Sequence, residues 1–112
     1  MSIRKKQFVV YGFRFEKDVL TEEQIEDFYN NYDHYEAELG TVVFIDSGMV
    51  GSHYWLGYLL AYGGDYCDLG ITLDSEVHDE SIHKMNAFLK DDKFKDLKNM
   101  HRSYFHIITR WG

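Results

Sequence analysis

The order of strand-like and helix-like segments is the feature of this sequence that most constrains its fold. Segments rich in β-branched and aromatic residues predict strands, and they are residues 7–15, 41–48, 53–62, 67–73 and 103–109. The segment 53–62 also fits a helix that would begin after Ser52 and end before Gly63. Its aromatic content and its central glycine, Gly57, favour a strand. The segment 67–73 would be an additional strand.

Two other stretches carry apolar residues at helical spacing. The first follows Thr21, which fits a capping box with Gln24, and it should end near Tyr32. The second covers residues 75–99, where acids come first and lysines last, as the helix dipole favours. The resulting order, β-α-β-β-(β)-α-β, predicts an α+β domain with an antiparallel sheet and two helices on one face. A ferredoxin-like, split βαβ arrangement or a variant of it has this order.

Length and cysteine content narrow the class of protein further. A chain of 112 residues predicts a single domain, residues 1–112. Cys67 is the only cysteine, so no disulfide can form within the chain, which suits a reducing cytoplasm. The first ten residues are basic at the start but lack the long apolar run of a secretory signal peptide. We therefore expect a soluble, cytoplasmic protein.

Charge is segregated along the chain. Residues 1–17 carry five basic residues and one acid, and residues 84–112 carry seven basic residues and three acids. Between them, residues 18–83 carry fifteen acids and no lysine or arginine, and the net charge is −7. Such a block is often a disordered acidic tail. Here the same block contains predicted strands rich in valine, leucine and aromatic residues, so we expect it to be folded.

The most acidic part of this block is residues 22–38, which hold seven carboxylates. Like charges four residues apart, such as Glu22 and Glu26, cost a helix a few tenths of a kcal/mol. They suggest a surface that serves a partner with a basic surface, although a solvated helix face is the simpler interpretation. The candidate partner-binding residues are Glu22, Glu23, Glu26, Asp27, Tyr29, Asp33, Tyr35 and Glu36. The leading hypothesis is a protein-binding regulator or inhibitor of a nucleic-acid-handling protein, such as a phage-type effector or nucleic-acid mimic.

The alternative hypothesis uses the two basic ends of the chain. In a ferredoxin-like sheet the first and last strands are neighbours, so their cations would meet on an open sheet face. On the last strand, Phe105, Ile107 and Trp111 should face the helices, whereas Ile108 should face outward. The candidate nucleic-acid or nucleotide-binding residues are Arg14, Arg102, Tyr104, His106 and Arg110. The signature of RNA-recognition motifs is absent, and the same surface would equally serve as a sheet cover or a homodimer contact.

Sequence motifs for catalysis or cofactor binding are absent: there is no P-loop, dinucleotide fingerprint, nucleophile elbow or zinc-protease motif. Asp46, Asp65, Asp68 and Asp74 could meet at one end of the sheet and hold a cation, but turn aspartates are the simpler interpretation. A small enzyme with a histidine and an aspartate in its site is the third hypothesis. We expect no cofactor, no metal, no direct nucleic-acid binding and no membrane association.

Overall fold

The fold consists of one four-stranded sheet and two helices within the part of the chain that the structure, a computed structural model, describes. The described residues are 5–36, 38–48, 51, 53–64, 70–91, 94 and 102–111. The elements are β1 (Lys5–Glu16), α1 (Glu22–Tyr32), a 3₁₀ turn (His34–Glu36), β2 (Val42–Asp46), β3 (His53–Gly63), α2 (Ser75–Phe88) and β4 (Tyr104–Trp111). All neighbouring strands are antiparallel, in the order β2-β3-β1-β4. The predicted α+β class is confirmed.

The first helix begins and ends where the sequence predicts. The side-chain oxygen of Thr21 accepts a hydrogen bond from the backbone N–H of Gln24 at 3.2 Å. In return, the side-chain oxygen of Gln24 accepts one from the N–H of Thr21 at 2.9 Å. This reciprocal pair satisfies two backbone donors that a helix start otherwise leaves open, and α1 ends at Tyr32.

The segment 53–62 is a strand, as its aromatic residues and Gly57 predicted. β3 pairs with β1 from Gln7 opposite Gly63 to Glu16 opposite His53, with one irregularity between Val9 and Val10. Residues 67–69 of the predicted strand 67–73 lie outside the described residues. Residues 70–73 are described and have no regular secondary structure.

The second helix is shorter than predicted, because it ends at Phe88 and not near residue 99. The chain then turns, and the N–H of Phe94 donates a hydrogen bond to the carbonyl oxygen of Asp91 at 3.0 Å. This turn stacks the ring of Phe94 on that of Phe88, with centroids 4.4 Å apart. In a continuous helix, residues six apart point to different sides, so burial of Phe94 requires the break. The remainder of the predicted helix, 92–93 and 95–99, lies outside the described residues.

Both helices pack on the same face of the sheet. Their buried side chains, Phe28 of α1 and Met85 of α2, belong to one cluster with the odd-numbered aromatic residues of β1. The ring of Phe28 also stacks on that of Phe44 in β2, with centroids 5.1 Å apart. This shared cluster fixes the helices side by side against β1, β2 and β3. Within the described residues, neither helix has the length and apolar character needed to cross a bilayer.

The opposite face of the sheet is buried too, which corrects the expectation of an open sheet face. Its buried cluster consists of Phe8, Val10, Val43, Ile45, Trp55, Leu59 and Ile108. Ile108, which was expected to face outward, is 2% exposed, whereas Ile107, which was expected to face the helices, is 76% exposed. The predicted strand faces are correct for Phe105, which packs against the helix-side cluster. The main contacts of the described helices are with the other three strands, which is consistent with the exposure of Ile107.

The two edge strands approach each other at one end of the sheet. Gly48, just after β2, forms an isolated parallel bridge with Trp111 of β4. In the middle of the sheet, Gly12 of β1 lies opposite Gly57 of β3. A Cβ atom on Gly12 would lie 2.2 Å from the carbonyl oxygen of Leu56, so the backbones approach too closely there for any side chain. The sheet is therefore strongly curled, which explains why its second face is covered.

Candidate functional site

The first half of α1 presents the exposed part of the predicted acidic surface. Glu22, Glu23 and Glu26 are exposed, whereas Phe28 on the opposite side of the helix is 3% exposed. The helix buries Phe28 because its apolar residues recur at helical spacing, which leaves the carboxylates on the outer side. The three carboxylates form one charged patch on the start of the helix.

Two other candidates on α1 have partners within the fold. Asp27 is half-buried, and its carboxylate accepts a hydrogen bond from the side-chain amide of Asn31 at 2.8 Å. Tyr29 is also half-buried, and its hydroxyl donates a hydrogen bond to Oδ2 of Asp46 at 2.6 Å. Burial, and then this hydrogen bond, raise the pKa of Tyr29. Tyr29 is therefore held by β2, and a partner would reach it only at its edge.

The last candidates lie at the end of α1 and in the 3₁₀ turn. Asp33 is half-buried, and its Oδ1 accepts a hydrogen bond from the N–H of Tyr35 at 3.0 Å. Tyr35 is 60% exposed, and its ring lies under the Lys6 ammonium at 4.5 Å and near the Arg110 guanidinium at 5.4 Å. The side chain of Glu36 lies outside the described residues. The eight candidates thus form no single surface, and the exposed carboxylates of α1 are the coherent part.

Asp46 joins three parts of the fold. Its Oδ1 accepts hydrogen bonds from Nε of Arg110 at 2.8 Å and from the N–H of Gly48 at 2.8 Å, and its Oδ2 accepts the one from Tyr29. Burial alone would raise the pKa of Asp46, but the hydrogen bonds from Arg110, Tyr29 and Gly48 outweigh it and hold this pKa below its ordinary value. Asp46 therefore stays ionised and ties α1, β2 and β4 together.

The four aspartates that were considered as possible cation ligands do not form such a site in the described part of the chain. Asp46 is engaged with Arg110, and Asp74 caps α2, since its Oδ1 accepts a hydrogen bond from the N–H of Val77 at 2.9 Å. Asp65 and Asp68 lie outside the described residues. Among the residues that are described, no three histidine, cysteine or acidic side chains are placed to hold a metal ion.

The basic and aromatic candidates divide into two groups. Tyr104 is 57% exposed, and His106 is half-buried with its Nε2 3.2 Å from the carbonyl oxygen of Gly12. Burial lowers the pKa of His106, and the nearby positive charge of Arg14 lowers it further. The hydrogen bond with Gly12 raises this pKa but does not outweigh them. Arg14 is exposed, and its guanidinium nitrogen Nη2 lies 3.7 Å from the carboxylate oxygen Oε1 of Glu16. Arg102 is exposed as well.

Arg110, the fifth member of this set, is drawn away from the others. Its side chain is 11% exposed and is paired with Asp46. It also lies six residues beyond Tyr104 along β4, which is about 20 Å in a strand. The structure therefore brings Arg14 and His106 near Tyr104 but removes Arg110 from that surface.

Two concave sites lie beside the end of α1 and the 3₁₀ turn that follows it. One is a polar groove of about 590 Å³ beside the end of α1, lined in part by Asn30, Asp33, Glu38 and Thr41. The other is a smaller cavity under the 3₁₀ turn, lined in part by His34. The sequence offered no signal for His34 beyond a lone histidine in an acidic stretch, because its burial depends on distant residues.

No protein family, curated protein or solved structure matches this chain.

Proposed function

We propose that the protein binds a partner protein with a basic surface and acts as its regulator or inhibitor, with α1 as the contact. The observation that carries this proposal is the exposed patch of Glu22, Glu23 and Glu26 at the start of α1. No lysine or arginine occurs anywhere in residues 18–83. No cation therefore lies within α1 itself to cancel the field of the patch, and such a field steers the association of oppositely charged partners.

The groove at the other end of α1 extends the proposed contact surface. A helix carries a partial negative charge at its C-terminus, and the last turn of α1 contains no basic residue to offset it. Asp33 and Glu38 add carboxylates to the same groove. A lysine or arginine side chain of the partner is the group that fits this charge, so the partner would contact both ends of the helix.

The second helix adds to the field without being the proposed contact. Glu76, Asp79 and Glu80 are exposed on α2, which lies on the same face of the sheet as α1. Carboxylates four residues apart on a helix recur about every 6 Å. Each strand of DNA carries one phosphate charge for roughly every 3.4 Å of helix axis, so the two linear charge densities agree within a factor of about two. A protein that handles nucleic acid is therefore the class of partner that we propose, with the chain acting as a nucleic-acid mimic.

We also propose that the fold is a variant of the ferredoxin-like arrangement. The support is that β4 lies beside β1 and that β3 separates β1 from β2. In a split βαβ unit, two parallel strands are likewise separated by a third. The meeting of the two sheet edges near Gly48 and Trp111 is the feature that makes this chain a variant.

The experiment compares two triple variants with the same net charge. One replaces Glu22, Glu23 and Glu26 with glutamine, and the control replaces Glu76, Asp79 and Glu80 with their amides. Each removes three carboxylates, so both change the net charge from −7 to −4. The partner is first captured with the wild-type protein from the native host and identified by mass spectrometry. Association rates to that immobilised partner are then measured at low and high salt.

We expect the α1 variant to associate on the order of tenfold more slowly at low salt, with a smaller difference at high salt. The α2 control should lose much less, because its carboxylates act only at a distance. An α1 variant with a native circular-dichroism spectrum and an unchanged association rate would show that the patch is an ordinary solvated helix face. Equal losses in both variants would show an effect of net charge alone.

Direct nucleic-acid binding is the competing outcome. With a net charge of −7, we expect the isolated protein to bind neither DNA nor RNA at physiological salt. Fluorescence anisotropy with labelled single strands checks this expectation. Micromolar binding that weakens with salt would replace the proposal by the alternative that uses Arg14, Tyr104 and His106.

A further inference from the structure

The cavity under the 3₁₀ turn has the features of a small-molecule site and is separate from the acidic patch on α1. It has a volume of about 230 Å³ and lies where the start of β1 meets the end of β3. Among the described residues, its walls include Lys6, Phe8, His34, Tyr35, Leu59 and Tyr62. Ligand pockets for drug-sized molecules usually measure about 300–1,000 Å³. This cavity therefore suits a ligand built on a single ring.

His34 supplies the most specific feature of the cavity. Its side chain is 1% exposed, and its Nδ1 lies 3.3 Å from the carbonyl oxygen of Phe44. A carbonyl oxygen only accepts hydrogen bonds, so Nδ1 carries the proton and donates it. Burial, and then the Arg110 charge, lower the pKa of His34. The ring is therefore neutral at pH 7, and its Nε2 carries a lone pair.

That lone pair has no hydrogen-bond donor in the described part of the chain. A buried polar atom left without a partner costs about 1–3 kcal/mol, and structures rarely retain one without a reason. Nε2 is closed to solvent in this structure, and a ligand in the cavity reaches it when the neighbouring Tyr35 ring, whose centroid lies 4.2 Å from that of His34, moves aside. A group that fills the cavity and then donates a hydrogen bond to Nε2 would recover this loss. Among the described residues, no three histidine, cysteine or acidic side chains come together to hold a metal ion, so the partner that we infer for Nε2 is a donor group.

The rest of the cavity defines the remainder of the ligand. Phe8 and Leu59 are 4% and 1% exposed and form an apolar wall. Lys6 also lines the cavity, and its ammonium is 4.5 Å from the centre of the Tyr35 ring. An ammonium has three donors and attracts anions. The walls thus offer an apolar surface and a cation, and the buried acceptor belongs to a residue that lines the same cavity.

We propose that this cavity binds a small organic anion with an apolar ring and one O–H or N–H donor. The donor binds Nε2 of His34, the anionic group binds the ammonium of Lys6, and the ring packs on Phe8 and Leu59. Binding needs neither α1 nor its carboxylates. Success or failure here is therefore independent of the proposed protein partner.

The first test uses para-hydroxybenzoate as the probe and two analogues as matched controls. In para-methoxybenzoate the donor is blocked, and in para-hydroxybenzamide the charge is removed. For a ligand of about ten non-hydrogen atoms we expect a Kd on the order of 1 mM or tighter by calorimetry. Each analogue should bind about tenfold more weakly. Nitrogen NMR of the histidine side chains should show a shift of the His34 Nε2 resonance with para-hydroxybenzoate and not with para-methoxybenzoate.

The second test uses three variants of the protein. In His34→Asn the amide nitrogen can still donate to Phe44, but the Nε2 acceptor is lost, and in Lys6→Gln the ammonium is lost. Lys84→Gln is the control, since Lys84 is exposed on α2, on the other face of the sheet. We expect the first two variants to bind para-hydroxybenzoate about tenfold more weakly than the wild type. The control variant should bind it with the wild-type affinity.

Equal binding of the three small molecules would overturn the proposal, and so would wild-type affinity in a folded His34→Asn variant. If that variant does not fold, the NMR shift in the wild-type protein decides. An Nε2 resonance that does not respond to saturating para-hydroxybenzoate refutes the site.

Discussion

Removal of the Asp46 carboxylate is the perturbation that should destabilise this fold most clearly. In Asp46→Ala, Arg110 loses its ionic partner, and Tyr29 and the N–H of Gly48 lose their acceptor. Breaking a buried ion pair by removing one partner costs about 3–5 kcal/mol. The Asp46 side chain is 22% exposed and that of Arg110 is 11% exposed, so water can replace part of the loss. We therefore expect a loss of about 3 kcal/mol in the free energy of unfolding.

Urea denaturation followed by circular dichroism measures this loss, and thermal melting should show a decrease in Tm of about 10 °C. Asp46→Asn keeps the shape and one acceptor oxygen but not the charge, so its loss should be smaller. Asp79→Ala is the control for removing an exposed carboxylate, and it should change stability by no more than about 0.5 kcal/mol.

The pH dependence gives an independent check on the same residue. The folded pKa of Asp46 lies below its unfolded value of about 3.9. The stability that it contributes is therefore fully present above about pH 4 and is lost as the pH falls through the folded pKa. Asp46→Asn should lack this part of the acid dependence. If Asp46→Ala unfolds at the same urea concentration as the wild type, the closure of the sheet by Asp46 and Arg110 does not hold.

Three further predictions concern other parts of the fold. Thr21→Ala should cost about 1 kcal/mol and Thr21→Ser much less in urea melts, because the cap needs only a hydroxyl. Gly12→Ala should cost about 2–3 kcal/mol because its Cβ would clash with backbone atoms, whereas Gly70→Ala, with nothing within 4 Å, should have little effect on thermal stability. The pKa of His34 is lower in the folded protein than in the unfolded protein, so the unfolded protein binds a proton at a higher pH. The free energy of unfolding should therefore decrease as the pH falls below about 6.5. His34→Asn should show a shallower decrease in stability between pH 7 and 5, and an identical slope would contradict the inferred burial.

The exposure of the first carboxylates of α1 could be predicted from the sequence. The exposure of Glu22, Glu23 and Glu26 follows from the helical spacing of the apolar residues of α1. The same spacing did not reveal that the Tyr29 hydroxyl would be held by Asp46. That contact joins residues 17 positions apart, and no local pattern encodes it.

The basic surface was predicted less well, and the reason is the shape of the sheet. Strand alternation correctly placed His106 and Arg110 on the same face of β4 as Ile108. It could not show that this face would be covered, because curling depends on contacts between opposite sheet edges. The pairing of Arg110 with Asp46, 64 residues earlier in the chain, withdraws that cation from the surface.

The sequence by itself determined the elements whose causes lie within a few residues. The start of α1 depends on Thr21 and Gln24, three positions apart, and the faces of β1 and β3 depend on a period of two. The tertiary structure alone decided where α2 ends, since Phe94 is buried only when the chain turns back onto Phe88. It also decided the burial of His34 and the curl of the sheet. Short-range hydrogen bonds and periodicity are encoded by neighbouring residues, whereas closure of the sheet depends on contacts between residues far apart in the chain.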